Sequence, residues 1–246
     1  MAGHNKWSKI KNKKGNEDKR RGKIFTKLTR EIIVAAKECG ADPDYNSSLK
    51  SAIDKAKAEN MPNDNIERAL KKASGSSDQD NYEEVIYEGY GPSGVAVIVS
   101  CLTDNRNRTA PEVRHAFDKY GGNLGTTGSV MFTFNKVGLI QIKKENIDEE
   151  ELMMLSLDSG ASDFKDDEDI FEIITEVESF AEVRDALSKE GYSFIFSELT
   201  YIPNNEIKVD NKEDIDNLVK LIDILEDNDD VQNVYHNWDI PEDLEV

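Results

Sequence analysis

Cysteine and histidine are both scarce. The 246 residues contain two cysteines, Cys39 and Cys101, and three histidines, His4, His115 and His236. Two cysteines cannot build a disulfide framework, and with three scattered histidines they offer no four-ligand zinc site. Long apolar runs are missing as well. The longest, Val95 to Leu102, has eight residues and includes Ser100, against about 20 for a membrane span. The first 30 residues lack the apolar stretch of a secretory signal. No nucleophile elbow or zinc-hydrolase motif is present, and no nucleophile–base pair stands out. His115, beside Arg114, reads as a surface or core-edge residue rather than a general base. The abundant carboxylates leave a magnesium nuclease site as an open alternative. The expectation is a soluble, cytoplasmic protein with no catalytic residues, no metal, no cofactor, no membrane partner and no small-molecule substrate.

Charge is what the chain has in excess, and it is unevenly divided. Charged residues make up 33% of the sequence and apolar residues 37%, with a net charge of −19. Residues 1–72 hold 18 Lys and Arg against 10 Asp and Glu, a net of +8, which leaves −27 for the remaining 174. Within residues 1–30 the count is 11 basic to 2 acidic. A concentrated basic end can bind a polyanion while the acidic body stays turned away, the plain alternative being a solubilising tail. The acids crowd into residues 145–190, with 17 acidic to 3 basic, and 210–246, with 13 to 2. Both stretches read as solvated faces.

Residues 1–15, MAGHNKWSKIKNKKG, show no sustained apolar periodicity and read as an extended arm, disordered when unbound. Its Trp7 either stacks on an exposed base or packs back onto the first helix. Residues 17–39 read as a helix closed by Gly40. At about 100° per residue, Ile24, Leu28, Ile32, Ala35 and Cys39 share one arc, while Arg20, Lys23, Lys27 and Arg30 form a ridge of cations opposite. A solvated face normally mixes signs for i,i+4 pairing, and this ridge holds no acid. Leu49, Ala52, Ile53 and Ala56 repeat the helical spacing, as do Ile66, Ala69, Leu70 and Ala73. Asn63 is the expected N-cap of the latter. Residues 17–74 thus predict a three-helix bundle, followed by a polar linker at 74–80.

Beyond the linker the period changes to that of strands. Tyr82–Tyr90 and Val95–Leu102 predict a hairpin, Arg106–Tyr120 a helix and Ser129–Phe134 a strand. Residues 137–202 then follow the order βαββαβ, the ferredoxin-like split unit. The flanking pieces, joined across it with a strand–helix–strand from Ile207 to Trp238, give the same order. The predicted fold class is α+β: an N-terminal three-helix bundle followed by two ferredoxin-like α+β domains, one inserted in the other. The domains expected are 1–78, 79–135 plus 204–246, and 136–203.

Two loops draw notice. Gly121-Gly-Asn-Leu-Gly-Thr-Thr-Gly128 follows a helix and precedes a strand, the reverse of the polarity a phosphate-cradling loop needs. A C-cap at Gly121 and a glycine-rich turn explain it better. Thr103-Asp-Asn-Arg-Asn-Arg-Thr109 sets Arg106 and Arg108 at a strand-to-helix junction. An arginine fork there suits phosphate recognition, while Asn105 or Asn107 serves as a helix cap.

The blocks MAGHNKWSKIKNKKG, RGKIFTKLTREIIVAAKECGADPDYNSSL, AENMPNDNIERALKKASG, YEGYGPSG and LTDNRNRTAPEVRHAF, followed by KYGGNLGTTGSVMFTF, resemble the YebC family, also called PmpR or TACO. The resemblance runs nearly end to end and is densest over residues 1–135. It implies a helical bundle and two α+β domains. It also implies a regulator of gene expression, because members are labelled probable transcriptional regulators and some bind promoter DNA. Other members act in translation, activating it in mitochondria or relieving ribosomes stalled at proline-rich stretches. No catalytic residues carry over. His4, Lys6, Trp7 and Lys9 stand at the family's N-terminal motif positions and are the ones the resemblance assigns to nucleic-acid contact.

Taken with the charge pattern, the expected contact residues are His4, Lys6, Trp7, Lys9, Lys11, Lys13, Lys14, Arg20, Lys23, Lys27, Arg30, Arg106 and Arg108. The expected partner is nucleic acid, either promoter DNA or ribosomal or transfer RNA, with the ribosome itself as a further candidate. A DNA reader would show a base-reading helix. A Lys-rich arm with an aromatic suits RNA read by shape and stacking. An acidic protein–protein adaptor is the remaining alternative. Replacing Lys23, Lys27 and Arg30 by glutamate is expected to abolish binding and leave melting intact.

Overall fold

The computed structural model describes residues 17–75, 81–167, 169–241 and 244. The arm residues His4 to Lys14 lie outside the described residues, as do the side chain of Arg20 and most of the linker. The chain divides into two compact units. Thr133–Asn204 forms one, and the described residues up to Phe132 form the other together with those from Asn205 onward.

In the second unit, α1 (Glu17–Cys39), α2 (Ser47–Ala58) and α3 (Asn63–Ser74) form the bundle. Leu28, Ile32, Ile33 and Ala36 of α1 close on Leu49, Ala52, Ile53 and Ala56 of α2 and on Ile66 and Ala69 of α3. The alanines let the helix axes approach closely, which gives twelve-residue helices a shared core they could not have alone. Cys39, expected on the buried arc, is exposed, and Ile33 and Ala36 take the inner positions instead. Asn46 caps α2 by accepting from the Leu49 amide at 3.0 Å, and its amide donates to the carbonyls of Ala35 and Gly40. The α3 cap falls on Pro62 rather than Asn63, with no side-chain hydrogen bond.

The same unit holds β1 (Glu83–Tyr90), β2 (Ala96–Thr103), α4 (Arg106–Lys119) and β3 (Asn123–Leu124). The chain returns from the insertion as β8 (Ile207–Lys208), α7 (Lys212–Glu226), β9 (Val231–His236) and β10 (Trp238–Asp239). The sheet order is β3-β1-β2-β9, with α4 and α7 contributing to one core beside Val97, Val99, Cys101 and Trp238. β2 is central, which accounts for its nearly continuous apolar run. β2, α4 and β3 make the split βαβ unit, and β1 occupies the slot between the two strands. β8 pairs instead with β10, in parallel, outside this sheet.

The expected strand Ser129–Phe134 does not form. Met131–Thr133 is a short 3-10 turn, and the strand begins at Phe134. The physical reason is nearby: the Val130 and Met131 amides donate to the carboxylate of Glu88. Donors held by a side chain are lost to a strand ladder.

The inserted unit runs β4 (Phe134–Lys143), α5 (Glu149–Asp158), β5 (Ala161–Asp167), β6 (Ile170–Thr175), α6 (Phe180–Lys189) and β7 (Phe196–Pro203). Its antiparallel order, β5-β6-β4-β7, is the ferredoxin-like arrangement. Ile140, Ile142, Phe171 and Ile173 pack against Leu152, Phe180, Val183 and Leu187. Gly138 admits the Phe180 ring and the Thr175 hydroxyl into the space a Cβ would fill. Gly138→Ala is therefore expected to lower the unfolding free energy by about 1–3 kcal/mol through overpacking, read from urea unfolding of the full chain.

Candidate nucleic-acid interface

Lys23, Lys27 and Arg30 recur at i, i+4 and i+7 on α1, so one helix face carries three cations. The fold turns this face onto the C-terminal end of α7. That end is an electronegative site: its last carbonyls have no intrahelical donors, the helix dipole points its negative pole there, and the last turn holds no basic residue. The missing cations come from α1. Lys23 Nζ lies 2.5 Å from Asp227 Oδ1 and donates to the Asp227 carbonyl at 2.9 Å. Lys27 Nζ donates to the Glu226 carbonyl at 2.8 Å. Arg30 donates to the carbonyls of Asp229 at 2.7 Å and Leu102 at 3.1 Å, and its guanidinium stands 5.2 Å from the Tyr82 ring centroid.

Arg30 also reaches Asp230, the centre of the arrangement. This carboxylate is only 3% exposed, yet it is saturated with donors. Arg30 donates to Oδ1 at 2.7 Å. Arg108 approaches as a fork, Nε to Oδ2 at 3.0 Å and Nη2 to Oδ1 at 2.8 Å. The Thr109 hydroxyl adds 2.7 Å to Oδ2. Burial by itself would raise the Asp230 pKa, but the donors of Arg108, Thr109 and Arg30 outweigh it and hold the pKa below its usual value. The Arg108 pKa is raised in turn, chiefly by its hydrogen bonds to Asp230 and Asp104. Burial, with Asp230 nearby, pushes the Cys101 thiol up to about 12, so it is protonated and inert at neutral pH.

The structure therefore brings Lys23, Lys27, Arg30 and Arg108 together, on an internal partner. Arg106 pairs with Glu83 at 2.8 Å. Asn105 caps α4 by accepting from the Arg108 amide. The arginine fork faces an aspartate where a phosphate was the expectation.

The glycine-rich loop follows the same logic. Gly121, at φ +74°, closes α4 in the left-handed region. The amides of Gly128, Val130 and Met131 then converge on the Glu88 carboxylate at 2.6, 2.9 and 2.8 Å. Glu88 is 3% exposed. Burial raises its pKa, but the three backbone donors prevail and lower it. An amide nest able to hold an anion is filled by the chain's own carboxylate.

On the bundle surface Arg21, Lys50, Lys57, Arg68, Lys71 and Lys72 are exposed, interleaved with Asp54, Glu59, Asp64 and Glu67. Arg68 bonds to Asn65 and to the Asp64 carbonyl. Among the described residues no group of three or more His, Cys, Asp or Glu is arranged to hold a metal ion, and no helix is long and apolar enough to cross a membrane. His115 is exposed, as a surface position requires. Asp230 and Glu88 escaped sequence reasoning, although α7 ending in Leu-Glu-Asp-Asn-Asp-Asp without a cation was a usable signal.

Residues 5–76 match the family model described as TACO1/YebC protein N-terminal domain, and residues 82–238 match TACO1/YebC second and third domain. A relative from Finegoldia magna, named probable transcriptional regulatory protein, is 64% identical over 97% of this chain and 99% of its own length. One from Acetivibrio thermocellus with the same name is 57% identical over the same shares. The crystal structure of a conserved hypothetical protein from Aquifex aeolicus superposes with a TM-score of 0.83 at 44% identity, covering 96% of this chain and 97% of that one.

Two outcomes follow from Asp230. Glutamates at positions 23, 27 and 30 would meet carboxylates and carbonyls, so the triple substitution is expected to lower the melting temperature, contrary to the sequence-based expectation. Asp230→Asn strands two arginines and should cost about 3–5 kcal/mol in urea unfolding. A carboxylate with a lowered native pKa stabilises above its unfolded value of about 3.9, and that contribution is lost as pH falls through the lower native value. Wild-type stability should thus decline below about pH 4, and less steeply in Asp230→Asn.

Proposed function

As the chain belongs to the TACO1/YebC family, we propose that it is a nucleic-acid-binding regulator of gene expression that performs no chemistry of its own. The observation that carries this reading is the charge partition, +8 over residues 1–72 against −27 over the rest. Relatives named probable transcriptional regulatory proteins support the regulatory role. The contacts are made by the N-terminal arm, through His4, Lys6, Trp7, Lys9, Lys11, Lys13 and Lys14, and by the cations of the bundle. The acidic domains face away from the bound strand by charge repulsion, and the protein works in the cytoplasm.

RNA is favoured over promoter DNA by one observation. The exposed faces of α2 and α3 alternate Lys50, Asp54, Lys57, Glu59, Asp64, Glu67 and Arg68, and Arg68 is held by its own helix. A helix that reads base edges needs Arg, Asn or Gln directed into the major groove. A polyanion read by shape and stacking, such as ribosomal or transfer RNA on the ribosome, fits the mixed face better.

Titration of a labelled oligouridine and a DNA duplex at rising potassium chloride tests this. Binding should weaken log-linearly with salt. Replacing the five arm lysines by glutamine should reduce the single-strand slope by about 3.5, at about 0.7 per phosphate contact. A flat salt response overturns the reading. Crosslinking in cells then separates the two targets. RNA enriched at a few ribosomal or transfer RNA positions makes the protein a translation factor. Discrete promoter DNA, with RNA at background, makes it a promoter regulator.

A further inference from the structure

The three cations of α1 are already coordinated in the way phosphates would coordinate them. Carboxylate and carbonyl oxygens of Asp227, Glu226 and Asp229 stand 2.5–2.9 Å from Lys23, Lys27 and Arg30. We propose that the turn ending α7, residues 226–230, is an internal phosphate mimic that occupies the Lys23–Lys27–Arg30 ridge and is displaced from it by a nucleic-acid strand. This rests on the nucleic-acid reading above and assigns the regulation of that same site.

Three features allow the exchange. The bundle has its own apolar core, with Tyr82 packed against it, so release of the ridge does not open that core. The ridge contacts are ion pairs and cation–carbonyl bonds, the kind that salt screens and polyanions compete for. Asp230 retains Arg108 and Thr109 when Arg30 departs, so the body is not left with an unpaired buried charge. The contacts are also graded. Asp227 is exposed at the rim, while Arg30 is partly buried and Asp230 buried behind it. A strand therefore engages Lys23 first.

The mimic lowers affinity for any competing phosphate, because the turn must leave before the ridge is available. Removing the rim carboxylate should make the ridge easier to capture. Asp227→Ala is compared with wild type and with Asp216→Ala, which deletes an equal charge at an exposed position on α7. The probe is the labelled oligouridine over a range of potassium chloride. Asp227→Ala should bind about three- to fivefold tighter, the upper part of the range for an exposed ion pair. Its salt slope should steepen by about 0.7, and Asp216→Ala should match wild type. Equal affinity of Asp227→Ala and wild type overturns the mimic and leaves the nucleic-acid reading standing. An equal gain in both variants also overturns it, as a general charge effect. Absence of binding by all three chains overturns the nucleic-acid reading, and the mimic with it.

Discussion

A carboxylate buried to 3% exposure must be fully hydrogen-bonded or it unfolds its surroundings, and Asp230 meets that demand with donors from three directions. Arg30 comes from the first helix, Arg108 and Thr109 from the start of α4, and the Asp230 carbonyl holds the amide of Leu102 at the end of β2. Arg108 and Thr109 hold the carboxylate within the body, and Arg30 adds the bundle to it. The bundle, the central strand, α4 and the α7–β9 turn are therefore tied together at one residue. The bundle's apolar core is separate from the one that β2, α4, α7 and β9 share, so at Asp230 it is polar geometry that links the two.

Glu88 solves a smaller version of the same problem. Its carboxylate gathers the amides of Gly128, Val130 and Met131, and this fixes a glycine-rich segment that hydrophobic burial alone would leave loose. Both acids act as internal anions. A chain of net charge −19 does not spend all its carboxylates on solvation; two of them do the work that a bound phosphate does in other folds. This bears directly on function, because cations that look available in the sequence are engaged from within.

Much of the fold was legible. The helical spacing of Leu49, Ala52, Ile53 and Ala56 predicts their burial, and each is buried. The βαββαβ order of the insertion appears in the sheet order of β4 to β7. The cap at Asn105 and the left-handed closure at Gly121 follow local backbone rules and were readable as such. Failures came where a distant group intervened. Ser129–Phe134 has strand composition, yet Glu88, about 40 residues earlier, takes its amides. Ile207 has strand composition too, but β1 already fills the place beside β2, and β8 pairs with β10.

The cationic ridge marks the boundary most clearly. Periodicity places Lys23, Lys27 and Arg30 on one face, because a 3.6-residue repeat is a local property of the backbone. Composition likewise separates a basic end from an acidic body, and motif blocks suffice to indicate the family. What that face meets is decided by residues 199 to 204 positions away. Such pairing depends on how the sheet and helices close around Asp230. Local patterns in this chain determine which elements form and which way their faces point. The tertiary structure alone determines which charges remain to be offered to a partner, since a cation's first anion is whichever one folding brings within hydrogen-bonding reach.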